Sequence, residues 1–145
     1  MRIEDESAPD GPEPPVLDVD RVIRLADALA GGGAVIARFH MGAYILFRDG
    51  RTTVDVEEAR RRFSEATAAC LAGHTVTLFM DAAVATTNIG AAAAELLGLD
   101  ENQALDLFQP SRELRDCVTP EQAAGTLRFL AVTGRVLWPT RSDKI

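Results

Sequence analysis

From Asn88 to Gly134 the chain is punctuated so densely that only short helices fit. Asn88 precedes the apolar run Ile89–Leu97, and Gly98 follows it. Asp100 stands before Glu101–Phe108 with Gln103 three residues on, and Pro110 closes that stretch. Thr119 precedes Pro120, with Gln122 at the reciprocal position, and Gly134 ends the run. Each start offers a side-chain oxygen to amides that have no partner inside a helix. Each stop is a glycine suited to the left-handed cap, or a proline that cannot continue the helix. Three short helices follow from this pattern. The last carries the stripe Ala123, Leu127, Leu130 and Ala131. After Gly134 the chain turns back, and Trp138 is expected to pack on Leu127 and Leu130 or against the central helix.

Upstream, a helix begins at Asp18 or Asp20 with the stripe Val19, Val22, Ile23, Ala26, Leu29 and Ala30, and stops at Gly31-Gly32-Gly33. Those glycines follow a helix and no Gly-Lys-Ser/Thr comes after them, so a phosphate loop is not indicated. Asp49-Gly50 marks a type I′ hairpin turn between β-forming residues, with strands near 34–40, 43–48 and 51–54. A helix through 34–47 is the alternative. A second helix starts at Asp55 and runs to about Thr77 along Ala59, Phe63, Ala66, Cys70 and Gly73. A buried strand at 75–80 competes with its last part. The fold class is therefore mainly α (α+β): a compact helical domain of about five helices with a small β-hairpin near 34–54.

Charge divides the chain. Of 22 acids and 15 bases, seven acids and one base fall in residues 1–20, so the remainder is nearly neutral. Residues 1–16 contain Pro9, Pro12, Pro14 and Pro15 with few apolar groups, and read as a disordered acidic tail. Residues 17–140 form one helical domain, and 141–145 a C-terminal tail. The nearly neutral body disfavours a broad nucleic-acid surface. No apolar run reaches the ~18 residues of a membrane span, and residues 1–16 do not read as a leader. A cytoplasmic setting with free thiols is the expectation.

Chemistry could reside in Cys70, His74, His40 and Cys117. Cys70 and His74 stand four residues apart on one helical face and could supply half of a tetrahedral zinc site, which His40 and Cys117 would complete. The same pair could act as nucleophile and base. Against both, the spacing lacks paired ligands, and a thiol inside an apolar helix is inert. The plainer reading is that Cys70 packs as a small hydrophobe and His74 bonds a backbone carbonyl. Residues 118–138 also suggest the second half of a winged helix, but Arg128 is the only base on that helix. Arg60-Arg61-Arg62 reads as a solvated face beside Glu57, Glu58 and Glu65. No catalytic, cofactor or metal residue is assigned.

The succession Ala69-Cys70-Leu71-Ala72-Gly73-His74, Glu95-Leu96-Leu97-Gly98-Leu99, Leu107-Phe108 and Gly134-Arg135-Val136-Leu137-Trp138 resembles small uncharacterised helical proteins of actinobacteria and their phages. The likeness runs from about Phe39 to Pro139. It implies a shared helical fold and no established activity. Those proteins often carry a further Cys where this chain has Glu65, which weakens a metal or disulfide role here. The expected function is a non-enzymatic interaction or regulatory module whose partner is another protein, with self-association left open. The alternatives are a small Cys/His zinc protein or thiol enzyme, and a winged-helix-like nucleic-acid binder.

Overall fold

A computed structural model describes residues 15–31, 38–39, 41, 44–110 and 118–138. The tails expected at 1–16 and 141–145 fall largely or wholly outside these residues, as do His40 and Cys117. The described residues form six α-helices and one small sheet: α1 Val19–Gly31, α2 Val56–Arg61, α3 Leu71–Leu78, α4 Ile89–Leu97, α5 Glu101–Phe108 and α6 Pro120–Thr133. The strands are β1 Arg38–Phe39, β2 Ile45–Phe47, β3 Thr52–Thr53 and β4 Ala66–Ala69. The fold is mainly α, as expected, and the hairpin belongs to a larger four-stranded sheet.

The punctuation from Asn88 onward holds residue by residue. Asn88 accepts from the Ala91 amide. Asp100 and Gln103 close a reciprocal box at 2.7 and 2.9 Å, and Thr119 and Gln122 close another at 3.1 and 3.0 Å. Gly98 and Gly134 take the left-handed cap at φ 72° and 75°. At the first helix, Asp18 accepts from the Arg21 amide. The face α1 buries is Val22, Leu25, Ala26 and Leu29; Val19 and Ala30, expected inside, are exposed and Leu25 takes their place.

The helix expected from Asp55 to Thr77 is four elements. Asp55 does cap, accepting from the Glu58 amide at 2.8 Å, but α2 ends at Arg61. A 3₁₀ turn Phe63–Glu65 leads into β4, and Cys70 then opens α3. Alanine-rich β4 is a strand because partners flank it: it pairs parallel with β1 and antiparallel with β2, in the order β1-β4-β2-β3. Tertiary pairing overrules local helix propensity. The strand considered at 75–80 is instead the end of α3 and the turn after it, and a helix through 34–47 is excluded for the residues described there. The register slips at Thr67, the extra residue of a bulge, whose hydroxyl donates to the Leu46 carbonyl.

The Asp49-Gly50 turn is longer than expected. Phe47 N–H donates to Arg51 O at 2.8 Å and Gly50 N–H to Phe47 O at 2.9 Å, leaving three residues in the loop with Gly50 at φ 88°. A three-residue loop ending in a left-handed glycine twists with the strands as well as a type I′ pair does. Across it, Arg62 reaches Asp49 at 2.8 Å and Glu65 at 2.7 Å, and its guanidinium lies 4.1 Å from the centre of the Phe47 ring. These bonds hold the Arg62 pKa well above its usual range. The Arg51 amide, and then this guanidinium, draw the Asp49 carboxyl down, and the guanidinium draws the Glu65 carboxyl down. The basic triplet is thus partly a structural clasp, with Arg60 also reaching the Met80 carbonyl.

The core lies where α3 is enclosed. Every residue from Leu71 to Thr77 is buried, including the polar Thr75, whose hydroxyl returns to the Leu71 carbonyl. A helix buried all round needs neighbours on every side; these include α1, α4, α5 and the sheet. The broadest helix pairing joins α1 to α6. Arg21 caps the far end of α4, its guanidinium donating to the Leu96 carbonyl at 3.0 Å, where the helix dipole favours a cation. Trp138 is half-buried against the core, not enclosed, and its indole N–H donates to the Asp106 carbonyl at 2.8 Å.

Candidate functional site

Cys70 occupies the N-cap of α3, not the middle of a helix. A helix N-terminus is where a thiol is usually activated, so the two effects must be weighed. Burial pushes the Cys70 thiol up to about 11, while the amides of Gly73, Ala72 and Cys70 itself pull it down and lose. The side chain is 3% exposed. His74, also buried, donates from Nδ1 to the Cys70 carbonyl at 3.0 Å, and its ring lies 5.7 Å from that of Phe39. The histidine is therefore engaged with the backbone of Cys70, and the thiol is held neutral. Among the described residues no group of three or more His, Cys, Asp or Glu is placed to hold a metal ion.

The inert thiol predicts two measurements. From the ordinary 9.0 to about 11, the native protein holds about a hundredfold less thiolate at pH 8 than the unfolded chain. Peptide mapping after a thiol-reagent pulse should find Cys70 unlabelled until denaturant is added; rapid native labelling would refute its inertness. The folded state also binds the proton more tightly. Its contribution is complete below pH 9 and is lost as the pH rises towards about 11. Cys70→Ala should flatten that alkaline decline.

The winged-helix reading of 118–138 finds its capped helix and its Gly134 stop. Among the described residues no strand follows α6, and Arg128 pairs with Asp27 of α1 at 3.1 Å.

A cleft that sequence reasoning missed lies between α4 and α5. It holds ≈ 220 Å³ and is lined by Ala91, Ala94, Ala104, Leu105 and Phe108, with Tyr44, Asn88, Glu101 and Gln109 supplying polar groups. Small residues on the two facing helices leave the space. Tyr44 forms one wall because two elements hold it. Its carbonyl accepts from the Cys70 amide at 3.3 Å. Its hydroxyl lies across Gly90, so near that a Cβ at that position would sit 2.9 Å away. Burial, and then the nearby Cys70, push the Tyr44 hydroxyl above its usual pKa. It therefore stays a neutral donor and acceptor at neutral pH. Leu105 is 49% exposed on the rim, a large apolar side chain facing water.

The signal in the sequence was Gly90 itself. A glycine just inside a capped alanine-rich helix weakens the helix, and here it makes room for the ring of Tyr44, the residue before β2. Other large apolar side chains facing water are Phe129 and Val132 of α6 and Leu137 beyond it, of which Val132 is 85% exposed. Among the described residues no helix is long and apolar enough to cross a membrane. No family model, curated protein or solved structure matches the chain.

Proposed function

We propose that the chain is a non-catalytic protein-interaction module and that the α4–α5 cleft receives part of another protein. The cleft's composition carries this reading. Its walls are apolar, and its described lining holds no His, Cys, Ser, Thr or Lys. A space of ≈ 220 Å³ is below the ~300–1,000 Å³ of most small-molecule pockets. It suits one or two side chains of a docked segment. The buried, neutral Cys70 and the carbonyl-bonded His74 argue against the zinc and thiol-enzyme alternatives.

A photo-crosslinking residue at Ala91, on the exposed edge of the cleft, tests the proposal against the same residue at Glu57 on α2. In lysate of the source cell, a discrete protein adduct is expected from position 91 alone. Leu105→Arg should abolish it. Identical adducts from both positions, or none from either, would defeat the reading.

A further inference from the structure

Charge around the cleft points to what enters it. From Phe63 to Pro110 the chain contains no Lys or Arg, while Glu65, Asp81, Glu95, Asp100, Glu101 and Asp106 fall in that span. Four of these acids, Glu95, Asp100, Glu101 and Asp106, belong to the α4–α5 hairpin or its connection, and all four are exposed. The arginines that reach towards this half of the molecule are already engaged with backbone carbonyls. Arg21 donates at the Leu96 carbonyl, in the last turn of α4, and Arg60 at the Met80 carbonyl. Two of the hairpin acids are also spoken for: Glu95 accepts from the Ala85 amide, and Asp100 caps α5. Glu101 is different, since its side chain lines the cleft.

We infer that the cleft docks a basic segment of a partner protein, an Arg or Lys head pairing with Glu101 while its alkyl stem and an adjacent apolar residue lie on Leu105 and Phe108. This rests on the interaction reading above and adds the partner's chemistry. Lys and Arg suit such a site because their stems bury on apolar surface while the charge stays at a wet rim. Long-range attraction from the hairpin's four acids would steer that segment in. Tyr44 and Gln109, at the other end of the lining, offer hydrogen-bonding groups to the segment's backbone.

The test titrates ¹⁵N- and methyl-labelled full chain with three acetylated, amidated peptides: Gly-Arg-Leu-Arg-Gly, Gly-Gln-Leu-Gln-Gly and Gly-Glu-Leu-Glu-Gly. The arginine peptide should shift the Leu105 methyls and the Ala91, Ala94 and Ala104 signals, binding at least about tenfold more tightly than the glutamine peptide. The glutamate peptide should shift nothing. Glu101→Gln, checked for fold by circular dichroism, should bring the arginine peptide down to the glutamine value. So should 1 M salt, where screening acts over about 3 Å. Equal binding of the arginine and glutamine peptides would overturn the charge inference and leave the cleft as an interaction site. No shift at the cleft with any peptide would remove both. Shifts spread over all surface acids and indifferent to Glu101→Gln would mean non-specific attraction, and overturn the inference. Arg112 and Arg115 follow the cleft closely in the chain. If Arg112→Gln with Arg115→Gln raises affinity for the arginine peptide, the basic occupant is the chain itself, and the external partner is refuted.

Discussion

Replacing Phe47 with alanine is expected to remove about 3–5 kcal/mol, a large part of the ~5–15 kcal/mol that holds such a domain together. Phe47 is 1% exposed and ends β2 at the point where that strand pairs with Ala66 of β4. Truncation would leave a ring-sized hole inside a sheet with no spare strands. It would also take away the surface over which Arg62 is held 4.1 Å from the ring centre, between Asp49 and Glu65. The attraction between that guanidinium and the ring face would go with it. Urea unfolding followed by circular dichroism should show the midpoint fall sharply. Phe47→Leu should recover more than half of the loss, because most of it is volume. A loss below about 1 kcal/mol would mean that the hairpin does not support the core.

Gly73→Ala should destabilise although alanine is the better helix former. An added Cβ would overlap the Tyr44 carbonyl oxygen and come within 2.9 Å of its carbon and 2.8 Å of the Ala69 Cβ. Two of these obstacles are backbone atoms, so nothing flexible can move aside. Overpacking of this kind costs about 1–3 kcal/mol and occasionally more. That outweighs the roughly 1 kcal/mol gained from helix propensity. Gly125→Ala is the control. Gly125 is exposed on α6, and a methyl added there would meet nothing within 4 Å. There the propensity term acts alone and the protein should gain about 0.5–1 kcal/mol. Thermal midpoints should therefore move in opposite directions, by about 2–4 °C per kcal/mol. Two midpoints moving the same way would contradict the close approach of α3 to the Tyr44 backbone just before β2.

The contrast between these glycines shows what a sequence can disclose. Caps were legible because they are closed within three or four residues: Asn88, Asp100 and Thr119 each find the amide their spacing implies. The break between Arg61 and Leu71 was not, because Ala66–Ala69 has no strand signal of its own. It becomes a strand through β1 and β2, neighbours brought from elsewhere in the chain. Cys70 was rightly read as buried, and His74 as bonded to a carbonyl. Cys70 was misplaced within its element, since the helix that was to contain it starts only after it. The cleft was hidden for a related reason. Tyr44 reads as one more β-former, and its meeting with Gly90 depends on how the sheet and α4 are set against each other. Trp138 was expected deeper than it lies. Its indole N–H needs an acceptor, and the Asp106 carbonyl supplies one at the edge of the core.

The pairing of α1 with α6 has a consequence for how the protein is made. Val22, Leu25, Ala26 and Leu29 are buried, and the helix most broadly set against them ends about a hundred residues later. At roughly 5–20 residues per second, α1 leaves the ribosome about 5–20 s before α6 is complete. For that interval its apolar face is open to whatever the cell presents. The hairpin and β4, whose pairings span short separations, can assemble while synthesis continues. The last helix then closes over the first, so nascent chains that stall before Pro120 would display an unpaired apolar stripe and be the forms that chaperones and proteases engage.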